Sequence, residues 1–301
     1  MAARFGRVIT AMVTPFDEAG RLDLDAAASL ARWLVDQGNE GLVVTGTTGE
    51  APTLTDDEKV SLWRAVREVV DVPVLAGTGS NDTAHTVHLT KEAEACGVDG
   101  ALVVTPYYNR PSQAGIEAHF RTVAESTSLP LVLYDIPVRT GRKIDTGVLV
   151  KLASELPNVV AVKDAAGDPA ETARLVASVG DRLDVYSGDD SLTLPLLSVG
   201  AVGVIGVATH WAAPEHRAMV DAFVRGDVDR ARRENQVLIE SYDFETGPEA
   251  PNPIPTKAMM RVMGHRVGRC RPPMGPEPEW LEDRARHVLS NLVKRREEQV
   301  S

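Results

Sequence analysis

Short apolar runs recur about every thirty positions along the chain, each followed by a longer stretch with helical spacing of apolar and polar residues. That alternation predicts βα units around a parallel sheet. Eight runs read as strands: RVITAMV (7–13), GLVVT (41–45), VPVLAG (72–77), GALVVT (100–105), LPLVLYD (129–135), NVVAVK (158–163), LDVYS (183–187) and VGVIGV (202–207). Continuous apolar runs of this length fit strands buried on both faces. Between them, Thr55-Asp56-Asp57-Glu58 forms a capping-box pattern before VSLWRAVREVV, and Gly38, Gly97 and Gly180 stand where helices should stop. Eight strands with their helices fill about 210 residues, which suits an α/β chain folded as a (β/α)8 TIM barrel of ~250 residues better than an open doubly wound sheet. From Ala213 onward the pattern is helical only. The chain therefore divides into a barrel, residues 1–225, and a C-terminal helical domain, residues 226–301.

A dinucleotide fold would need G-x-G-x-x-G after an early strand, but Gly77-Thr78-Gly79-Ser80-Asn81-Asp82 lacks the third glycine and GAVGVIG (200–206) has the wrong spacing. No nucleotide cofactor is expected. Composition narrows the partners further. With 32 Lys plus Arg against 43 Asp plus Glu, the chain carries −11 and has no basic block able to track a phosphate backbone, so nucleic acid is excluded. No stretch approaches the ~20 apolar residues of a membrane span, and the N-terminal apolar run is too short for a secretion signal. The expected location is the cytoplasm. Cys96 and Cys270 show neither a disulfide framework nor metal-ligand spacing and read as reduced thiols. Seven histidines are scattered; His85 and His88 share a helix face without an acidic or thiol companion. All are read as surface histidines, and no metal is expected.

In a barrel the functional groups sit at the C-terminal ends of the strands. Run 2 leads into Gly46-Thr47-Thr48-Gly49-Glu50, run 4 into Thr105-Pro106-Tyr107-Tyr108-Asn109-Arg110, run 5 into Tyr134-Asp135-Ile136-Pro137-Val138-Arg139, and run 7 into Ser187-Gly188-Asp189-Asp190. Run 6 ends in Lys163, an ammonium placed straight after Val159–Val162. Taken alone, Lys163 is as readily a salt-bridge partner of Asp164, Asp189 or Asp190, Tyr134 a core residue, and the threonines turn residues. Convergence on one mouth favours chemistry. A free lysine has a pKa of about 10.4, and a desolvation shift of ~3 units leaves much of the amine neutral. Such an amine attacks a ketone to form an imine, whose nitrogen acts as an electron sink, so the neighbouring methyl group loses a proton and becomes a carbon nucleophile without coenzyme. Tyr134, Thr47 and a second tyrosine can relay the protons. Hydroxyl and backbone N–H groups of the GTTG turn can hold a 2-oxo acid carboxylate, and Arg139 a second one.

These residues stand in blocks that occur in order through most of the chain: AMVTPF (11–16), GTTGE (46–50), AGTGSN (76–81), VTPYYNRPSQ (104–113), LYDIPVRTG (133–141), VKDAAGD (162–168), SGDD (187–190) and PNPIP (251–255). In them the chain closely resembles the pyruvate-dependent class I aldolase and lyase family, and within it the dihydrodipicolinate synthases. The resemblance implies a barrel with a helical C-terminal domain, usually a homotetramer built as a dimer of dimers, which condenses pyruvate with L-aspartate 4-semialdehyde on the lysine and diaminopimelate pathway. It implies that Lys163 is the Schiff-base residue and Tyr134 the general acid/base. Thr47 and Tyr108 complete the relay, Tyr108 reaching into a neighbouring subunit's site. Thr48, the Ile205 backbone and Gly188 bind pyruvate, while Arg139 holds the semialdehyde carboxylate.

There are departures. Ala51 replaces the serine that often follows GTTGE. At the family's lysine-feedback site Asn81 and Tyr107 are kept, but Asp56, Lys59 and His85 occupy positions often held by His, His and Glu. Lys59 and a protonated His85 would oppose an incoming ammonium by on the order of 1 kcal/mol or more, so feedback should be weak or absent. Lys163, Tyr134 and the GTTG turn also suit sister enzymes such as N-acetylneuraminate lyase or a 2-keto-3-deoxy sugar acid aldolase. Arg139 favours a short acidic aldehyde over a sugar. A non-catalytic keto-acid sensor is the remaining alternative.

Overall fold

The computed structural model describes residues 3–300. All eight apolar runs form strands: β1 (Val8–Ala11), β2 (Gly41–Val44), β3 (Val74–Gly77), β4 (Gly100–Val104), β5 (Leu131–Asp135), β6 (Val159–Asp164), β7 (Asp184–Ser187) and β8 (Gly203–Gly206). Each pairs in parallel with the next, and β8 closes on β1 through Val8↔Val204, Ile9↔Ile205 and Thr10↔Gly206. The architecture is the expected (β/α)8 TIM barrel, followed by helices at Val228–Phe244, Ile254–Val262 and Leu281–Val300.

Both faces of the strands are buried, which is why they read as unbroken apolar runs. Ile9, Val43, Leu75, Leu102, Val132 and Ile205 fill the barrel interior. Leu42, Val44, Val103, Leu133 and Val185 face the surrounding helices. The helix punctuation also appears. Thr55 Oγ1 accepts the Glu58 N–H (3.2 Å) and Glu58 Oε2 accepts the Thr55 N–H (2.9 Å), the reciprocal pair of a capping box. Gly38 and Gly97, just past helix ends, hold φ of +99° and +71°, where a Cβ would be strained.

One irregularity matters for the site. β5 pairs with β6 as Leu131↔Val159 and then Val132↔Ala161, so Val160 is an extra residue opposite no partner. Val159 faces the helices while Val160 and Ala161 face the interior. Side chains alternate along a strand, so without this bulge a lysine four residues after the outward Val159 would also point outward. With it, Lys163 pairs with Tyr134 and both turn into the barrel.

The helices beyond residue 225 share a core with the barrel: Leu238, Tyr242, Met259 and Ala285 pack with Val8, Val204 and Ala208. Segments between these helices reach the C-terminal mouth, where Asn252, Pro253, Pro273 and Met274 line the cavity described below. No helix among the described residues is long and apolar enough to cross a membrane.

Candidate active site

Lys163 is 4% exposed, at the C-terminal end of β6 between Tyr134 on β5 and Tyr186 on β7. Its Nζ lies over the Tyr134 ring, 4.5 Å from the centroid, rather than in an ion pair with Asp164, Asp189 or Asp190. Burial pulls its pKa down from 10.5 to about 8; Asp190, Glu245 and Asp189 oppose this through their charge, and Arg139 assists it. Burial likewise pushes the Tyr134 phenol up to about 12, against Arg139 and a hydrogen bond with Thr47. At neutral pH the phenol is therefore a proton donor, beside an amine that is neutral in about a tenth of molecules. Gly188 leaves room for this lysine: a Cβ there would stand 2.9 Å from Lys163 Cγ and 3.0 Å from Cε.

The turn after β2 is built under strain. Thr45, β-branched, takes φ +59°, a conformation such residues rarely adopt. It is held because its hydroxyl reaches Gly77 O (3.0 Å) and accepts the Trp63 Nε1–H (2.8 Å). Gly77 must lack a side chain, since a Cβ would come within 2.2 Å of Thr45 O. The turn then presents Thr47 to Tyr134 and buries Thr48, whose Oγ1 accepts a hydrogen bond from Asn252 Nδ2 (3.0 Å). Its far end is fixed by Glu50, which pairs with the buried Lys257 at 2.6 Å and accepts the Arg271 N–H at 2.8 Å.

Arg139 stands exposed at the rim, Nη2 3.5 Å from the carbonyl of Asn252. Tyr108 is 89% exposed, with φ +70°. Thr47, Tyr107, Tyr108, Tyr134 and Arg139 border one cavity of about 590 Å3, which runs on to Asn81, Asp56, Lys59 and His85. There His85 Nε2 lies 2.9 Å and Lys59 Nζ 3.6 Å from Asp56. Ile205 is fully buried on β8, opposite Ile9.

The reading of all histidines as surface residues is corrected. His119, His210 and His216 are buried. His210 Nδ1 bonds Val207 O (2.7 Å) and Nε2 accepts the Val13 N–H (3.1 Å), and burial lowers its pKa to about 4, so it is neutral. His216 Nε2 lies 3.2 Å from Asp190 Oδ1, both buried. Burial pushes the Asp190 carboxyl up, but His216, the Val207 N–H (2.8 Å) and Lys163 outweigh it and hold it below its ordinary value. Burial, with repulsion from Asp190 and Asp189, raises the Glu245 carboxyl nearby well above the carboxylate range. Periodicity cannot separate a helix histidine that packs inward from one that faces water when its neighbours are small, as in THWAAPEH (209–216). Asn252, Lys257, Glu245 and the Asp190–His216 pair carry no role in the sequence reading, although PNPIP marks the position of the first.

The chain matches the model of the dihydrodipicolinate synthetase family over residues 4–294. It is 51% identical to the 4-hydroxy-tetrahydrodipicolinate synthase of Synechococcus sp. (strain CC9902) over 293 residues, 96% of this chain and 95% of that one. Two solved structures are similar throughout. The dihydrodipicolinate synthase from Cyanidioschyzon merolae with lysine bound has TM-score 0.93 and 41% identity, over 96% of this chain and 98% of that one. The chloride-inhibited dihydrodipicolinate synthase from Acinetobacter baumannii complexed with pyruvate has TM-score 0.91 and 34% identity, over 96% and 99%.

Proposed function

Since the chain belongs to the dihydrodipicolinate synthetase family, and is a lyase of the pyruvate-aldolase kind, we propose that it joins pyruvate to L-aspartate 4-semialdehyde through an imine on Lys163. The product is 4-hydroxy-tetrahydrodipicolinate. The observation that carries the mechanism is the dry, inward-facing lysine, whose pKa falls to about 8 beside a phenol that remains protonated.

The neutral amine attacks C2 of pyruvate, and Tyr134 gives a proton to the departing hydroxyl as water leaves and the imine forms. The protonated imine withdraws electrons, so a methyl proton passes to the relay of Tyr134, Thr47 and Tyr108 and an enamine results. Its carbon attacks the aldehyde carbon, whose oxygen takes a proton from the same relay. The semialdehyde's amino group then attacks the imine carbon, closing the ring and expelling the Lys163 amine. Thr48 and the Ile205 backbone hold the pyruvate carboxylate, Arg139 holds the second carboxylate, and Gly188 keeps the space in which the lysine stem lies. No coenzyme or metal takes part in this scheme. The reading includes a cytoplasmic homotetramer in which Tyr108 of one subunit completes the relay of its neighbour, with residues 1–225 as catalytic barrel and 226–301 as helical domain.

Incubation with pyruvate and borohydride, followed by peptide mass spectrometry, tests the scheme. A reduced pyruvyl adduct on Lys163 is expected; an unmodified lysine overturns it. Offering aspartate semialdehyde and then sugar aldehydes to the loaded enzyme tests the second substrate, and turnover of the sugar aldehydes alone would overturn that assignment.

A further inference from the structure

Asn252 lies far outside the barrel strands in sequence, yet it touches both groups assigned to substrate carboxylates. It is 7% exposed and borders the cavity. Its Nδ2 donates to Thr48 Oγ1 at 3.0 Å, its carbonyl accepts from Arg139 Nη2 at 3.5 Å, and its N–H donates to Thr246 Oγ1 at 3.3 Å. On its far side Oδ1 accepts from the fully buried Thr256 Oγ1 at 3.1 Å.

The direction of this chain has a chemical consequence. With its oxygen accepting from the Thr256 hydroxyl, the amide turns its NH2 towards Thr48. An NH2 group has no lone pair to offer, so the Thr48 hydroxyl cannot donate back. Thr48 Oγ1 makes no other hydrogen bond among the described residues, so its own proton is left free for a ligand. A carboxylate bound beside it meets an O–H donor for which no acceptor among the described residues competes.

We propose that Asn252 is a positioning residue that aims the Thr48 hydroxyl proton at the substrate carboxylate and holds Arg139 at the cavity rim through its backbone carbonyl. This rests on the reading above that Thr48 receives the pyruvate carboxylate. Asn252→Asp keeps the shape but replaces the donor with an acceptor, which draws the Thr48 proton away from the site and adds a negative charge beside a carboxylate.

The test compares wild type, N252D, T48V and the double variant, reading the pyruvate concentration that gives half-maximal borohydride trapping on Lys163, and KM against kcat in turnover. Loss of one hydrogen bond to a charged group predicts a rise of about ten-fold or more in that concentration for N252D. Because carboxylate binding is the same in ground and transition states, kcat should stay within about three-fold. On the T48V background, N252D should add less than it does to wild type, since the hydroxyl it turns is already gone and only the repulsion of its charge remains. N252D with an unchanged half-maximal concentration, or additive losses in the double variant, would overturn the role of Asn252. A wild-type chain that forms no adduct would instead sink the imine scheme, and this inference with it. Should N252D fail to fold, T256V replaces it: freeing the amide to rotate should raise the same concentration by about three-fold, and no rise would overturn the proposal.

Discussion

A buried lysine is an expense to the fold, and the sign of that expense can be worked out. Lys163 has a folded pKa near 8 against 10.5 in the open chain. The unfolded state therefore holds the proton more tightly, and stability rises with pH between about 8 and 10.5. Below pH 8 the penalty is fully present, about 3 kcal/mol on this shift. Lys163→Met should accordingly abolish adduct formation while raising Tm by several degrees at pH 7, with the gap over wild type closing as pH climbs towards 10.5 in calorimetry. A variant that melts lower than wild type across that range would contradict the desolvation account. The same lowered pKa expects the rate of imine formation to climb about ten-fold per unit up to pH 8 and then level off. Tyr134 belongs to this scale too. With its phenol protonated to about pH 12, Tyr134→Phe removes the donor without touching the packing, and turnover should fall by roughly 10²-fold at unchanged Tm; near-normal turnover would take the residue out of the relay.

Two elements decide how the site is held and how it responds to ligands. The turn after β2 is gripped at Thr48 by Asn252 and at Glu50 by Lys257, whose ammonium also donates to Arg269 O at 3.1 Å. Both members of the ion pair are 1% exposed or less. Removing one leaves the other buried and uncompensated, so Lys257→Met should cost about 3 kcal/mol in denaturant unfolding, and adding Glu50→Gln should recover part of the loss. No recovery in the double variant would mean that packing, not charge, is at stake. The helices Asp56–Arg67 and Thr83–Ala95 bring Asp56, Lys59 and His85 to the far end of the cavity. Asp56 is the carboxylate an incoming lysine would seek, but His85 and Lys59 already lie against it. Burial raises its pKa, and His85 and Lys59 more than reverse this. Calorimetry is expected to find weak or no L-lysine binding; tight, inhibitory binding would refute it.

At the scale of the whole molecule, Tyr108 and Val138 stand 89% and 88% exposed beside the mouth, and the proposed assembly covers the tyrosine with a neighbouring subunit. Tyr108→Trp should then weaken assembly and turnover together in sedimentation and rate measurements, whereas a fully active monomer would exclude a shared relay. The barrel was legible in the chain because its determinants are local: each apolar run lies between helix caps and glycine stops, and strands buried on both faces need no long-range information to be recognised. Lys163 was legible for the same reason, as the one cation set at the end of an apolar run. Its inward direction was not, because that depends on the single-residue bulge at Val160, and a bulge exists only relative to a partner strand. Nor could spacing join Asn252 to Thr48, 204 positions away, or Arg271 to Glu50, 221 away. Periodicity records which face of an element is dry; which side chain meets which across the mouth is settled only when the barrel closes and the C-terminal helices pack against it.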